Sequence, residues 1–193
     1  MQNICVFCGS SSGHNPIYKE VAYQLGKYLA ANGHRLIYGG GNVGLMGITA
    51  DSILSHGGEA VGVIPEFLQK WEVAHYGLTE LIVTQTMHER KTIMAERTDA
   101  VVTLPGGYGT FDELFEMLTW KQLSLHQKPI GLLNVKGYYD PLIQMIDRMV
   151  TDGFLKEENR QLVVVSDTIE ELFHKMREVN PASVDKWVDS SKL

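Results

Sequence analysis

Cysteine is scarce: the chain holds two, Cys5 and Cys8. A C-x-x-C spacing suits a redox or zinc pair, but residues three apart on one strand point to opposite faces of a sheet, so these thiols cannot readily meet each other or a shared metal. No second cysteine pair or histidine cluster completes a zinc site. Two buried small apolar side chains are therefore expected, with no disulfide and no metal. Long apolar runs are missing too: nothing approaches the roughly 18 residues a spanning helix needs. The start of the chain enters a strand pattern without the charged and apolar regions of a signal peptide, so a soluble, cytoplasmic protein with no membrane partner is expected. Ser191-Lys192-Leu193 has the form of a peroxisomal address, which carries meaning only in a eukaryote. Basic runs are absent as well. Seventeen Lys and Arg stand against 23 Asp and Glu for a net charge of −6, without aromatic-basic interleaving, which argues against nucleic acid as a partner. No repeat, low-complexity tract or linker divides the 193 residues, 44% of them hydrophobic, so residues 1–193 are expected to form one domain.

What the chain does contain is a regular alternation of short apolar runs with helical patterns. Strands are predicted over 3–7, 35–38, 60–64, 80–84, 100–104, 129–133 and 162–165, with helices near 16–31, 44–56, 87–97, 110–124, 138–151 and 168–178. That order predicts an α/β fold: a single doubly wound, Rossmann-like domain with a mostly parallel sheet flanked by helices.

Glycines sit where one of these strands turns into a helix. Pro105-Gly106-Gly107-Tyr108-Gly109-Thr110 follows the apolar run 100–104 and precedes a helical pattern. Glycine lets the backbone approach a ligand, and the first helical turn presents free N–H groups and the positive end of its dipole. A phosphate suits such a turn. Glu113 lies about one helical turn beyond, within reach of whatever the phosphate carries. Thr110 and Glu113 equally fit a T-x-x-E capping box, in which each side chain serves a backbone N–H of the other. Both readings of Glu113 stand at this point.

A second motif, Met87-His88-Glu89-Arg90-Lys91, opens the helix after the strand at 80–84, with Thr86 and Glu89 as another capping box. Two cations in a first turn oppose the helix dipole, at a cost of a few tenths of a kcal/mol or more. An anion in front of them would explain the pair, and in a parallel sheet this turn and the glycine turn share the carboxyl edge. Solvated surface charge is the plainer alternative.

Nicotinamide binding is a poor fit, because the first strand ends in Gly9-Ser10-Ser11-Ser12-Gly13 rather than G-x-G-x-x-G, and no acidic residue closes the second. Pyridoxal phosphate chemistry needs a Schiff-base lysine, and the only candidate, Lys91, sits beside an arginine at an anion site. No cofactor is expected. A non-catalytic nucleotide-binding or carrier module on the same fold could use the glycine turns, but it would not require Arg90 and Glu113.

The spacing M-x-x-R-K over Met87, Arg90 and Lys91, followed by P-G-G-x-G-T-x-x-E over Pro105 to Glu113, closely resembles the Lonely Guy family of cytokinin riboside 5′-monophosphate phosphoribohydrolases, once labelled lysine decarboxylases. Cys8-Gly9-Ser10-Ser11, Tyr38-Gly39-Gly40-Gly41, Gly44-Leu45-Met46-Gly47, Val63-Ile64-Pro65 and Thr119-Trp120-Lys121-Gln122-Leu123 extend the resemblance over nearly the whole chain. The resemblance implies hydrolysis of the N-glycosidic bond of adenosine 5′-monophosphate, plain or N6-substituted, to free base and ribose 5-phosphate. It implies Arg90 and Glu113 as the catalytic pair and phosphate contacts from Gly106, Gly107, Tyr108, Gly109 and Thr110, helped by Ser10 and Gly41. Glu72, Met87, Lys91 and Thr119 fall on substrate-contacting positions. It also implies a homodimer whose active sites draw on both subunits, and the apolar helical positions Leu114 and Leu118, with Leu125 beyond them, could serve that dimer or the core.

Overall fold

A computed structural model of the chain describes residues 1–69 and 73–179. Glu72 and the tripeptide Ser191-Lys192-Leu193 lie outside the described residues. The elements run β1 (Asn3–Phe7), α1 (Ile17–Ala31), β2 (Arg35–Tyr38), α2 (Gly44–Ser55), β3 (Glu59–Pro65), β4 (Glu80–Thr84), α3 (Met87–Glu96), β5 (Ala100–Thr103), α4 (Tyr108–Gln122), β6 (Ile130–Leu133), α5 (Asp140–Thr151), α6 (Glu157–Arg160), β7 (Val163–Ser166) and α7 (Ile169–Glu178). The seven strands form one sheet in the order β4-β3-β2-β1-β5-β6-β7, and every pairing in it is parallel. The sheet expected to be mostly parallel is wholly so.

The strands are apolar on both faces because helices cover both. Ile4 and Val6 of β1 enter a layer with Leu25 and Leu29 of α1, Ala50 and Ile53 of α2, and Leu172 and Phe173 of α7. Cys5 and Phe7 face the other way, toward Met94 of α3 and Leu114 and Met117 of α4. The period of two along a strand thus separates the cysteines into different layers. Both are free and buried, and burial first of all, with the Glu113 charge next, pushes both thiols well above the usual range.

Strand order reverses at β1. From there the chain steps outward through β2, β3 and β4, then returns to place β5 on the other side of β1. The β1 exit leads to α1 on one face, while the β5 exit leads to α4 on the other, so a crevice opens between the two carboxyl ends.

Three short elements escaped the sequence pattern: 3-10 turns at Glu66–Leu68 and Val135–Gly137, and α6. Four residues of Glu157–Arg160 carry no apolar periodicity to read. The Val135–Gly137 turn also delays α5 to Asp140, two residues beyond the expected start, because Lys136 turns left-handed at φ 56° and breaks the helical path.

Candidate active site

The turn after β5 is packed from below against the turn after β1. Gly9 N–H donates to the Pro105 carbonyl at 3.1 Å. A β-carbon on Gly106 would fall 2.0 Å from Thr110 Oγ1 and 2.8 Å from the Gly9 nitrogen, so only glycine fits there. Gly107, extended at φ −97° and ψ −155°, takes the N-cap of α4, which has no side-chain cap hydrogen bond. The capping box that was one of the two readings of Thr110 and Glu113 therefore does not close this terminus. With the cap at Gly107, Tyr108 and Gly109 are already helical, and Thr110 and Glu113 stand too far inside to cap. The first intrahelical bond of this junction runs from Phe111 N–H to the Gly107 carbonyl at 3.1 Å. The N–H groups of Tyr108, Gly109 and Thr110 have no acceptor within the helix, which is the condition for an anion site.

The α3 junction is built differently. Thr86 Oγ1 accepts from Glu89 N–H at 3.1 Å, and Glu89 Oε2 accepts from Gln85 N–H at 2.8 Å. The expected box closes here, reaching one residue further back than the cap itself. Arg90, 4% exposed, is fixed by strand ends: its Nε donates to the Val63 carbonyl at 3.0 Å and its Nη2 to the Gly39 carbonyl at 3.2 Å. Its Nη1 passes Met87 Sδ at 3.8 Å. The carboxyl ends of β2 and β3 thus offer oxygens to a first-turn cation, a reason for its position that the sequence did not reveal. A β-carbon on Gly39 would lie 2.1 Å from Nη2.

Between the junctions lies a cleft of about 250 Å³. Arg90 and Glu113 both line it, with Ser10, Met87, Gly107, Tyr108, Gly109 and Thr110. Cys8, Gly9, Met46, Leu68 and Asp112 complete the wall. Of these five, Cys8 and Gly9 adjoin Ser10 in a quoted motif, but nothing in the sequence brings Leu68 to this edge. Glu113 also lines a void of about 10 Å³ with Phe7, Met94 and Met117 and with the charged Lys91 and Glu116, so it borders both the cleft and this inner space.

The other expected contacts lie elsewhere. Gly106 lines an adjoining cavity of about 330 Å³ with Ser10, Tyr18 and Tyr138. Gly41 is buried and bridges to Ala74. Thr119 is on the outer face of α4 beside Phe115 and Trp120. Lys91 turns toward α4, its Nζ 2.7 Å from Asp112 Oδ2 and 3.5 Å from Glu116 Oε2. Burial works to lower the Lys91 pKa, but the Asp112 hydrogen bond and the two carboxylate charges outweigh it and hold it above the usual lysine value.

The arrangement pairs an open helix N-terminus with a carboxylate and a guanidinium facing one space, against the thioethers of Met46 and Met87 and the side chain of Leu68. It can hold an anionic group at one end, a flat apolar group at the other, and stabilise charge between them. Among the described residues no three His, Cys, Asp or Glu are grouped so as to hold a metal ion, and no helix is long and apolar enough to cross a membrane.

Residues 46–176 match the family described as "Possible lysine decarboxylase". The chain is 48% identical over 175 residues to a probable cytokinin riboside 5′-monophosphate phosphoribohydrolase of Oryza sativa subsp. japonica, covering 91% of this chain and 78% of that protein. It is 43% identical over 191 residues to a cytokinin riboside 5′-monophosphate phosphoribohydrolase of Arabidopsis thaliana, covering 96% and 90%. Among solved structures, the molybdenum cofactor carrier protein of Chlamydomonas reinhardtii aligns with a TM-score of 0.68 at 22% identity, over 92% of this chain and 96% of that one. That likeness concerns the fold alone.

Proposed function

The chain belongs to the family of cytokinin riboside 5′-monophosphate phosphoribohydrolases, and from that premise we propose that it hydrolyses the N-glycosidic bond of adenosine 5′-monophosphate, plain or N6-substituted, to free base and ribose 5-phosphate. The observation that carries this reading is the shared cleft: Arg90 and Glu113 line it together with the uncapped first turn of α4. In this reading the 5′-phosphate sits on the N–H groups of that turn, where dipole and free donors both favour it. The base lies against Met46, Leu68 and Met87.

Breaking the bond between C1′ and the purine nitrogen sends its electron pair to the base and leaves positive charge on the ribose. Glu113 counters that charge as it develops. Water adds to C1′, Glu113 takes its proton, and that proton ends on the departing base, so that only water is consumed. Arg90, held by two strand-end carbonyls, steadies the carboxylate and the ribose with its planar guanidinium. Binding energy from the phosphate, remote from the reacting bond, holds C1′ in place.

The same reading includes a homodimer in the cytoplasm, where nucleotide monophosphates are found. Phe115 on α4 lies beside Thr119 and is 37% exposed, and Leu123 and Leu125 just after the helix are 38% and 45% exposed, which supports a second copy at this part of the surface. Leu114, by contrast, is fully buried in the core.

The test is chromatography of purified protein incubated with AMP, with N6-isopentenyl-AMP, and with the matching ribosides. Free base is expected from the monophosphates. Ribosides lose several charge-assisted hydrogen bonds, each worth about 1.5–3 kcal/mol, and should react at least about a hundredfold more slowly. Equal turnover of riboside and monophosphate overturns the phosphate assignment. Tight binding of monophosphate with no base released leaves a binding module in place of an enzyme.

A further inference from the structure

The glycine turn is held from beneath by two consecutive tyrosines. The buried Tyr139 hydroxyl donates to the Leu104 carbonyl at 2.6 Å, and the Tyr138 hydroxyl donates to the Gly106 carbonyl at 2.5 Å. Their rings meet edge to face with centroids 5.0 Å apart, and Tyr18 packs edge-on against Tyr138 at 6.0 Å. The segment that delivers them is strained: Lys136 is left-handed at φ 56° without being glycine, and Gly137 follows at φ 70°. Asn134 fixes the other side, accepting from Tyr139 N–H at 2.7 Å and donating to Asp140 at 2.7 Å. Strain of this kind persists where the surroundings over-determine it, and it gathers at functional sites.

The Gly106 oxygen is not an arbitrary target. No peptide bond among the described residues is cis, and in a planar trans peptide the carbonyl of one residue and the N–H of the next point in opposite directions. A hydroxyl gripping the Gly106 oxygen therefore aims the Gly107 N–H away from Tyr138. It also polarises that N–H, because hydrogen bonds on one peptide unit strengthen each other. Gly107 lines both the cleft of Arg90 and Glu113 and the adjoining cavity that contains Gly106 and Tyr138, so the peptide between Gly106 and Gly107 lies where the two spaces meet, beside Gly9 and Ser10.

We propose that Tyr138 is a positioning residue for the phosphate site: through the Gly106 carbonyl it sets the direction and donor strength of the Gly107 N–H, which joins the first-turn N–H groups of Tyr108, Gly109 and Thr110 in meeting the 5′-phosphate. Its single hydroxyl proton is committed to that carbonyl, so it acts through the backbone. The inference rests on the cleft being the nucleotide site.

Tyr138→Phe removes only the hydroxyl and keeps the ring contacts. The Kd of ribose 5-phosphate, measured by titration calorimetry, and the KM of the nucleotide monophosphate should both rise about fivefold to tenfold, the size of one lost hydrogen bond. At saturating monophosphate kcat should stay within about twofold, and the much slower turnover of the riboside should not change. A merely structural role would lower melting temperature and act on both substrates alike. An unchanged Kd for ribose 5-phosphate, or a fall in kcat at constant KM, overturns the inference. If wild-type protein binds ribose 5-phosphate but releases no base from any monophosphate, the activity reading fails while the Kd comparison still decides the role of Tyr138. If wild-type protein does not bind ribose 5-phosphate, both readings fall.

Discussion

Helices α3 and α4 both leave the carboxyl edge of the sheet, one after β4 and one after β5, and each starts near a threonine with a glutamate three residues on. At α3 the pair closes the end: Thr86 and Glu89 occupy backbone donors of their own chain. At α4 the cap is Gly107, which brings no side chain, and the first-turn donors are left to an external partner. Their charged residues divide in a complementary way. The closed end sends Arg90 sideways onto the carbonyls of Gly39 and Val63, while the open end sets Glu113 a turn deeper, facing the same cleft. A helix terminus thus becomes a candidate binding site by what it lacks, and its neighbour, capped by Thr86 and Glu89, becomes the mount for the side chain proposed to act beside it.

The sharpest way to break this comparison is Glu113→Gln. Because Glu113 lies well inside α4, beyond its Gly107 cap, and the amide keeps its shape and its acceptor oxygen, melting temperature should change much less than turnover. Hydrolysis of the monophosphate should fall by about a hundredfold or more, the usual scale for losing a general base. Steady-state turnover measured beside thermal melting decides the matter, and near-normal turnover would make α4 as purely structural an element as the comparison makes the cap of α3.

Thr86→Ala probes the closed end and should show the reverse profile. Losing the cap should cost about 1 kcal/mol, which lowers the melting temperature of a chain this size by about 2–4 °C, with turnover at 25 °C close to wild type. A melting curve that does not move would mean that the α3 terminus is closed by something other than Thr86.

The far ends of α3 and α4 differ in a way that pH should reveal. Its last turn carries Lys121, favourable for the helix dipole, whereas the last turn of α3 has no basic residue. Lys121 is 3% exposed, its Nζ donates to the Leu162 carbonyl at 3.1 Å, and burial lowers its pKa to about 8. Between about 8 and the ordinary lysine value of about 10.4 the unfolded chain keeps a proton that the folded chain releases, so stability from this group rises with pH across that window and is lost as pH falls through it. Urea midpoints at pH 8 and pH 10 should therefore climb more for wild type than for Lys121→Met. Parallel pH responses would show that the lysine is not desolvated as its burial indicates.

The strands were legible because burial on both faces writes near-continuous apolar runs such as Ala100-Val101-Val102 into the chain. The start of α4 was read two residues late because Thr110 and Glu113 fit a capping pattern, whereas the true cap, Gly107, leaves no side-chain signature. Within one motif, local charge pattern alone did not tell Arg90 and Lys91 apart; only the family resemblance did. Successive residues on a helix point about 100° apart, so one enters the cleft and the other meets Asp112 and Glu116. Six positions separate Glu113 from Thr119, which turns Thr119 about 240° around α4 and onto its outer face. The contacts that tie the site together are long-range: Arg90 to Gly39 spans 51 residues and Tyr138 to Gly106 spans 32, distances over which local pattern carries no information.

The passage of Arg90 beneath Gly39 also restricts the order in which the two positions can change. Its guanidinium end cannot swing aside for a new methyl group without surrendering two backbone acceptors. With Arg90 in place, alanine at 39 collides at 2.1 Å; with the long side chain gone, the nearest remaining neighbour is Met46 Sδ at 3.4 Å, an ordinary contact. Arginine is thus the lock on glycine. Shortening position 90 first is therefore the order of least cost, and alanine at 39 with Arg90 retained should cost the hydrogen bonds that hold the guanidinium.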